Sequence, residues 1–244
     1  MYHPFSVAET TKTAWTIFKK NFVTIIVYSI AASFLLLVLG GVFEFVIAPE
    51  EFTGKMIVSL IMVFIQTYTT LGLYKLIFTL IDSEYYEFEF SQIFPPFKSI
   101  MSYLGVIFFM AFVITTFHIL MARLDEYPNL QQLLEEIAII IALFFALRIM
   151  FFITFIVDDQ SGGFESIRQS FKLTKGYFFK VLIMLGIVLL FIALPAFLSQ
   201  YKGLGFISAA IIFTYPFVNI ILAVTYRKLV YSHQDIDDDI AETN

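Results

Sequence analysis

Arg148 is the residue whose type and place most invite chemistry. It stands inside the apolar run Leu133–Val157, nine residues before its end. At about 1.5 Å per helical residue that is close to the middle of a hydrocarbon layer. A guanidinium placed there costs about 2.5–3.5 kcal/mol on insertion scales, so something must compensate. No carboxylate is expected at that depth, because Glu44 falls near the far end of its own apolar run. The available acceptors are Gln66, Tyr215, Asn219 and the Ile212 carbonyl, which Pro216 leaves without its usual helical donor. Two chemistries follow. Arg148 could hold an anion, a lipid phosphate or a substrate carboxylate, in an interior cavity. Alternatively it bonds neutral acceptors as interhelical glue, or snorkels to the nearer interface, which is the commoner arrangement.

Other polar residues carry weaker chemical signals. His118 could relay protons, but a lone histidine near a span end reads as an interfacial hydrogen-bonding group. Glu44 at a span edge reads as hydrated, and Lys75 as snorkelling. Asp82, Glu84, Glu87 and Glu89 alternate with Tyr85, Tyr86 and Phe88 in a spacing that matches no calcium loop. Asp158 and Asp159 are placed to favour the start of a following helix. Asp237–Asp239 with His233 is a poor metal set, and no metal or cofactor is expected. With no cysteine there is no disulfide, thiolate zinc site or thiol nucleophile. The chain also lacks H-E-x-x-H, G-x-S-x-G, G-x-G-x-x-G and any phosphate-cradling glycine loop, so no catalytic residue is assigned and no enzyme activity is expected.

The elements that must position Arg148 follow from composition. Of 244 residues, 59% are hydrophobic and 14% charged, and the mean hydropathy is +0.86. Soluble domains hold about 45–50% apolar and about 25% charged residues. So much apolar surface cannot be hidden inside so short a chain, but a bilayer can solvate it. Six apolar runs are long enough to cross as helices: Phe22–Ile47, Met56–Ile81, Ser99–Ala122, Leu133–Val157, Val181–Gln200 and Leu204–Tyr226. The expected fold is an all-α integral membrane bundle of six transmembrane helices with interfacial amphipathic helices. The first run is too long for a signal-peptide core and is read as retained. Residues 1–232 form the transmembrane domain. Residues 233–244, acidic and without a compensating lysine or arginine, form a disordered tail.

Basic residues set the orientation. Lys12, Lys19, Lys20, Lys75, Lys98, Arg168, Lys172, Lys175, Lys180, Arg227 and Lys228 fall on one side of this scheme, and only Lys55, Arg123 and Lys202 on the other. The positive-inside bias places both termini in the cytoplasm. Outside the acidic tail the chain is near neutral, so nucleic acid is not an expected partner. The loops are too short for a separate soluble domain.

The segments before the first and fifth spans are alike. Ala8-Glu9-Thr10-Thr11-Lys12-Thr13-Ala14-Trp15-Thr16-Ile17-Phe18-Lys19 aligns with Phe164-Glu165-Ser166-Ile167-Arg168-Gln169-Ser170-Phe171-Lys172-Leu173-Thr174-Lys175. Val7, Thr11, Ala14, Trp15, Phe18 and Phe22 share one helical face, as do Phe164, Ile167, Phe171 and Thr174. Ser6 with Glu9 fits a capping box, and Gly176 a helix stop. Bases on the polar face and aromatics on the other describe helices in the headgroup plane. Trp15, Lys19, Lys20, Arg168, Phe171, Lys172 and Lys175 are therefore the expected lipid contacts. A third lead-in, Phe90–Lys98, contains Pro95 and Pro96, which break a helix. A threefold parallel repeat of surface segment plus two spans is implied, at intervals of roughly 78 residues on the two-span unit.

Arg148-Ile149-Met150-Phe151-Phe152, then Ile156-Val157-Asp158-Asp159, then Gly163 to Gly176 resemble a bacterial membrane-protein superfamily. It includes the membrane domain fused to glycerophosphoryl diester phosphodiesterases, together with many stand-alone proteins of unknown function. The shared pattern is an arginine inside a span, an acidic turn and a basic amphipathic helix. This chain has Ile167 where that pattern has leucine and Phe171 where it has tryptophan, and no phosphodiesterase domain is attached. The resemblance implies a fold and a place in the bacterial inner membrane, not an activity. The expected function is an accessory or organising component contacting membrane lipids or another membrane protein. The alternative is a small transporter of an anion or amphiphile with Arg148 in its site.

Overall fold

A computed structural model describes residues 6–46, 52–82, 90–201 and 209–242, and every regular element among them is helical. The helices are α1 (Val7–Lys20), α2 (Phe22–Val46), α3 (Phe52–Asp82), α4 (Phe97–Met121), α5 (Pro128–Ile149), α6 (Phe152–Asp158), α7 (Gly163–Leu173), α8 (Phe178–Leu198) and α9 (Ile211–Glu242). Among the described residues five helical stretches are long and apolar enough to cross a membrane: Phe22–Val46, Phe52–Asp82, Phe97–Leu124, Pro128–Asp158 and Phe178–Leu198. In hydrocarbon a backbone can pair its own polar groups only as helix or closed barrel, and uninterrupted apolar sequence of this length forms the helix.

The sixth expected span, Leu204–Tyr226, begins outside the described residues. Its described part opens α9, where Tyr215, Pro216 and Asn219 interrupt the apolar run before Arg227 and Lys228 end it. The backbone of α9 continues as helix through His233 to Glu242, where a disordered tail is expected. Once the packed turns before Leu229 have nucleated a helix, each further residue adds a hydrogen bond at little entropic cost.

Burial is concentrated in one half of each long helix. Buried side chains occupy Ile25 and Ile26 of α2, Thr67–Phe78 of α3 in the main, Ser99–Val106 of α4, Leu147–Ile156 of α5 and α6, Val181–Val188 of α8 and Phe217–Leu229 of α9. The opposite halves expose apolar side chains throughout, with Gly54 and Met121 the buried exceptions among the described residues. The main cluster joins α1, α2, α3, α5, α6, α7, α8 and α9 around Tyr74, Met184, Ile220 and Tyr226. A smaller one joins α3, α4 and α6 around Leu71, Ile100 and Ile156.

α1 runs antiparallel along α9. Lys228 Nζ meets Glu9 Oε1 at 2.6 Å, Phe217 meets Trp15 and Phe18, and Phe213 stacks on Phe22. Glu9 thus answers a lysine on α9, and Ser6 at the helix start makes no side-chain cap. The buried face of α1 is Thr10, Ala14 and Phe18, whereas Trp15, expected on that face, is exposed at 47%. α7 buries Ser166, Ser170 and Leu173 and leaves Phe164 exposed. It ends at Leu173 with Thr174 as its cap, earlier than the expected stop at Gly176.

The start of α7 lies hard against α4. A Cβ on Gly163 would sit 2.6 Å from the Ser102 carbonyl oxygen and 2.8 Å from Val106 Cγ2, so only glycine permits this approach. Gly163→Ala is expected to cost about 2 kcal/mol, read as a lower unfolding midpoint in detergent. Gly176→Ala, with nothing within 4 Å of the added atom, should leave the midpoint unchanged.

Candidate functional site at the broken span

The helix that carries Arg148 does not run through. α5 ends at Ile149, Met150 and Phe151 form a turn, and α6 resumes at Phe152. Arg148 therefore occupies the last turn of α5 rather than the interior of one continuous span. A break in such a helix strands backbone donors and acceptors. Here one hydroxyl of α7 serves both kinds. Ser170 Oγ accepts from the Phe151 N–H at 3.2 Å and donates to the Arg148 carbonyl at 2.8 Å. Thr154 adds a donated bond to the Phe151 carbonyl at 2.6 Å.

The Arg148 side chain is half-buried and lies over α7, its guanidinium carbon 5.2 Å from the Phe171 ring centroid. Phe145 meets the same ring at 5.8 Å. The acceptors expected for Arg148 lie in other settings. Asn219 is buried and donates to the Tyr215 carbonyl at 2.7 Å within α9, and the Gln66 side chain and Tyr215 are exposed. Among the described residues, Arg148 is not brought together with Gln66, Tyr215 or Asn219 by a hydrogen bond. Its neighbour is the aromatic ring, a cation–π contact.

α1 and α7 carry the same local geometry at corresponding positions. Thr10 and Ser166 are fully buried, and each donates to the carbonyl four residues back, Ser6 at 2.7 Å and Gly162 at 2.8 Å. Ala14 and Ser170 follow, one turn on, also fully buried. Asn21 (φ −112°, ψ 22°) and Tyr177 (φ −126°, ψ 24°) form the bend into the next helix. Ile25 and Val181, both fully buried, bond back to them at 3.0 and 2.9 Å. Ile100 likewise bonds back to Pro96 at 3.2 Å, where a short 3-10 turn, Phe90–Ile93, stands in place of a surface helix. The aromatic after the buried small residue meets a neighbouring helix in both cases: Trp15 on Phe217 at 5.5 Å, and Phe171 on Arg148 at 5.2 Å.

A second polar cluster joins the ends of α3 and α6 to the middle of α9. Arg227 of α9 pairs with Asp82 of α3 at 2.7 Å and with Asp158 of α6 at 2.9 Å, and its guanidinium carbon lies 5.0 Å from the Phe78 ring centroid. Tyr226 donates to Asp159 at 3.5 Å. Asp158 and Asp159 therefore tie the end of α6 to α9. Lys75 donates to the Phe94 carbonyl at 3.0 Å. His118 and Glu44 are exposed. Glu84, Glu87, Glu89 and the side chains of the acidic tail lie outside what the structure describes.

The basic residues of the surface helices point away from the bundle. Lys12, Lys19, Lys20, Arg168, Lys172 and Lys175 are all exposed, and Lys19 Nζ lies 5.7 Å from the Trp15 ring centroid. Among the described residues no group of three or more His, Cys, Asp or Glu side chains is placed to hold a metal ion. Comparison with family models, curated proteins and solved structures finds no match for the chain.

Sequence reading missed Ser170 and the Arg227 cluster. The signal for Ser170 was present as a stripe, Ser166, Ser170 and Thr174, at every fourth residue of an otherwise basic helix. Ser170→Ala would leave the Phe151 N–H and the Arg148 carbonyl without their shared partner. A loss of about 2 kcal/mol is expected, measured as a lower unfolding midpoint with faster amide exchange at Phe151.

Proposed function

We propose that this chain is a non-enzymatic multi-pass protein of the bacterial inner membrane, acting as an accessory or organising component that contacts anionic lipids. It crosses six times, with residues 204–226 as the sixth span and both termini cytoplasmic. It is built of three units, each a surface segment followed by two spans, with residues 1–232 as the membrane domain. A membrane-protein partner could share the same contact surface. The resemblance of Arg148–Gly176 to the membrane domain of glycerophosphoryl diester phosphodiesterases agrees with this reading.

The observation that carries it is the two-sidedness of α1 and α7. Each helix turns one stripe to the bundle, Thr10, Ala14 and Phe18 on α1 and Ser166, Ser170 and Leu173 on α7, and leaves its lysines and arginines exposed, with Trp15 on one helix and Phe164 on the other exposed beside them. A base near an anionic leaflet is worth about 1 kcal/mol, and exposed aromatics favour headgroup depth. The second reading, a transporter of an anion or amphiphile, is favoured by the break in the helix beside Arg148, since discontinuous helices build many transport sites.

Trp15 is the chain's single tryptophan, and so reports lipid near α1 directly. Energy transfer from Trp15 to dansyl-labelled phosphatidylglycerol in nanodiscs should exceed transfer to the phosphatidylcholine analogue. High salt and the variant K12Q/K19Q/K20Q should each abolish the difference; an unchanged difference in both would sink the lipid reading. The cysteine-free chain also permits clean topology mapping. Single cysteines replacing Ser6 and Glu242 should both react with an impermeant maleimide only after the inner membrane is opened. Labelling from opposite sides would refute six spans.

A further inference from the structure

We propose that Arg148, steadied by Phe171, is a binding point for the phosphate of one lipid headgroup at the seam between α5 and α7. This rests on the lipid-contact reading above and gives it a specific residue.

Three observations carry the inference. The first is contrast with Arg227. That arginine has two carboxylates within 2.9 Å, whereas among the described residues Arg148 meets only the face of an aromatic ring. A contact with a ring takes up none of the guanidinium's N–H donors as conventional hydrogen bonds. Those donors must be satisfied, and a phosphodiester accepts two of them side by side.

The second is the corresponding seam between α1 and α9. There Phe217 fills the place against Trp15 that Arg148 fills against Phe171. An apolar ring fills that place, with the Lys228–Glu9 pair further along the same seam, so packing against the aromatic does not by itself call for a charge. The third is the surroundings. Phe144 and Phe145, one turn before Arg148 on the same helix, are exposed at 48% and 50%, which offers an apolar surface beside the charge. Phe144 and Phe178, at 6.3 Å, join that surface to the start of α8. A ligand with a phosphate and acyl chains matches both halves, and a free phosphate matches only the charge.

Native mass spectrometry of the full chain in nonionic detergent tests this. The probes are phosphatidylglycerol, diacylglycerol with the same chains, and glycerol 3-phosphate. Wild type should retain one phosphatidylglycerol about tenfold more tightly than Arg148→Gln, the size expected for losing charge-assisted hydrogen bonds. Arg148→Lys should fall between them because it lacks the planar fork, and Phe171→Leu should weaken retention. Diacylglycerol should show no dependence on residue 148. Thermal midpoints identify any variant that fails to fold, and Arg148→Lys, which keeps the charge, then serves as the comparison. If folded Arg148→Gln retains phosphatidylglycerol as wild type does, the site is wrong. Binding of glycerol 3-phosphate with the same dependence on Arg148, equal in affinity to the lipid, would overturn the lipid assignment in favour of a soluble phosphate. Loss of retention in R168Q/K172Q/K175Q with none in Arg148→Gln would leave the general lipid reading standing and end this one.

Discussion

A backbone that leaves water must pair every N–H and C=O within itself, and this chain meets that requirement almost wholly by being helical. Among the described residues, the fourth long apolar helix is broken at Met150 and Phe151. Ser170 closes the gap by donating to one orphan and accepting from the other. That bridge holds the middle of α7, while the close approach of Gly163 to Ser102 holds its start. With both points set, Phe171 has little choice but to lie over Arg148. The position of the most unusual charge in the chain is thus a consequence of a backbone constraint two residues away.

Packing is distributed unevenly along the helices, and this determines what the protein itself stabilises. Close contacts gather in one half of the bundle, where aromatic clusters around Phe217 and Tyr226 meet the ion pairs of Arg227 and Lys228. In the other half, side chains such as Leu37, Phe112 and Ile140 are exposed at 75%, 69% and 68%. Apolar solvent leaves such surfaces at no cost, whereas water would drive them together. The ion pairs of Arg227 sit where the ends of α3 and α6 meet the middle of α9, so charge lost at Arg227 would be felt in α3, α6 and α9 together.

α1 and α7 show how one short helix can serve two surroundings. Thr10 and Ser166 return their hydroxyls to their own backbones, which lets polar residues face a packed bundle without an unsatisfied donor. Small residues one turn on, Ala14 and Ser170, permit the close approach. The bases on the remaining surface stay outside, available to anionic groups. The functional proposals grow from this division of faces, and the Arg148–Phe171 seam is the place where a charge departs from it.

Much of the helical architecture was legible in the residues alone. A run such as Phe22–Val46 is apolar on every side, so its conformation and its need for an apolar solvent require no knowledge of its neighbours. The likeness of Glu9–Lys19 to Glu165–Lys175 was visible for the same reason, since local pattern is written in consecutive residues. Partner choice was not. Arg227 and Asp82 are separated by more than a hundred residues, and nothing in either neighbourhood names the other. Arg148 was recognisable as costly by its type, but its candidate partners were chosen by depth along ideal, unbroken helices. The break at Met150 and the docking of α7 gave it Phe171 instead, because a contact between helices depends on their relative rotation and approach, which only the packed chain determines.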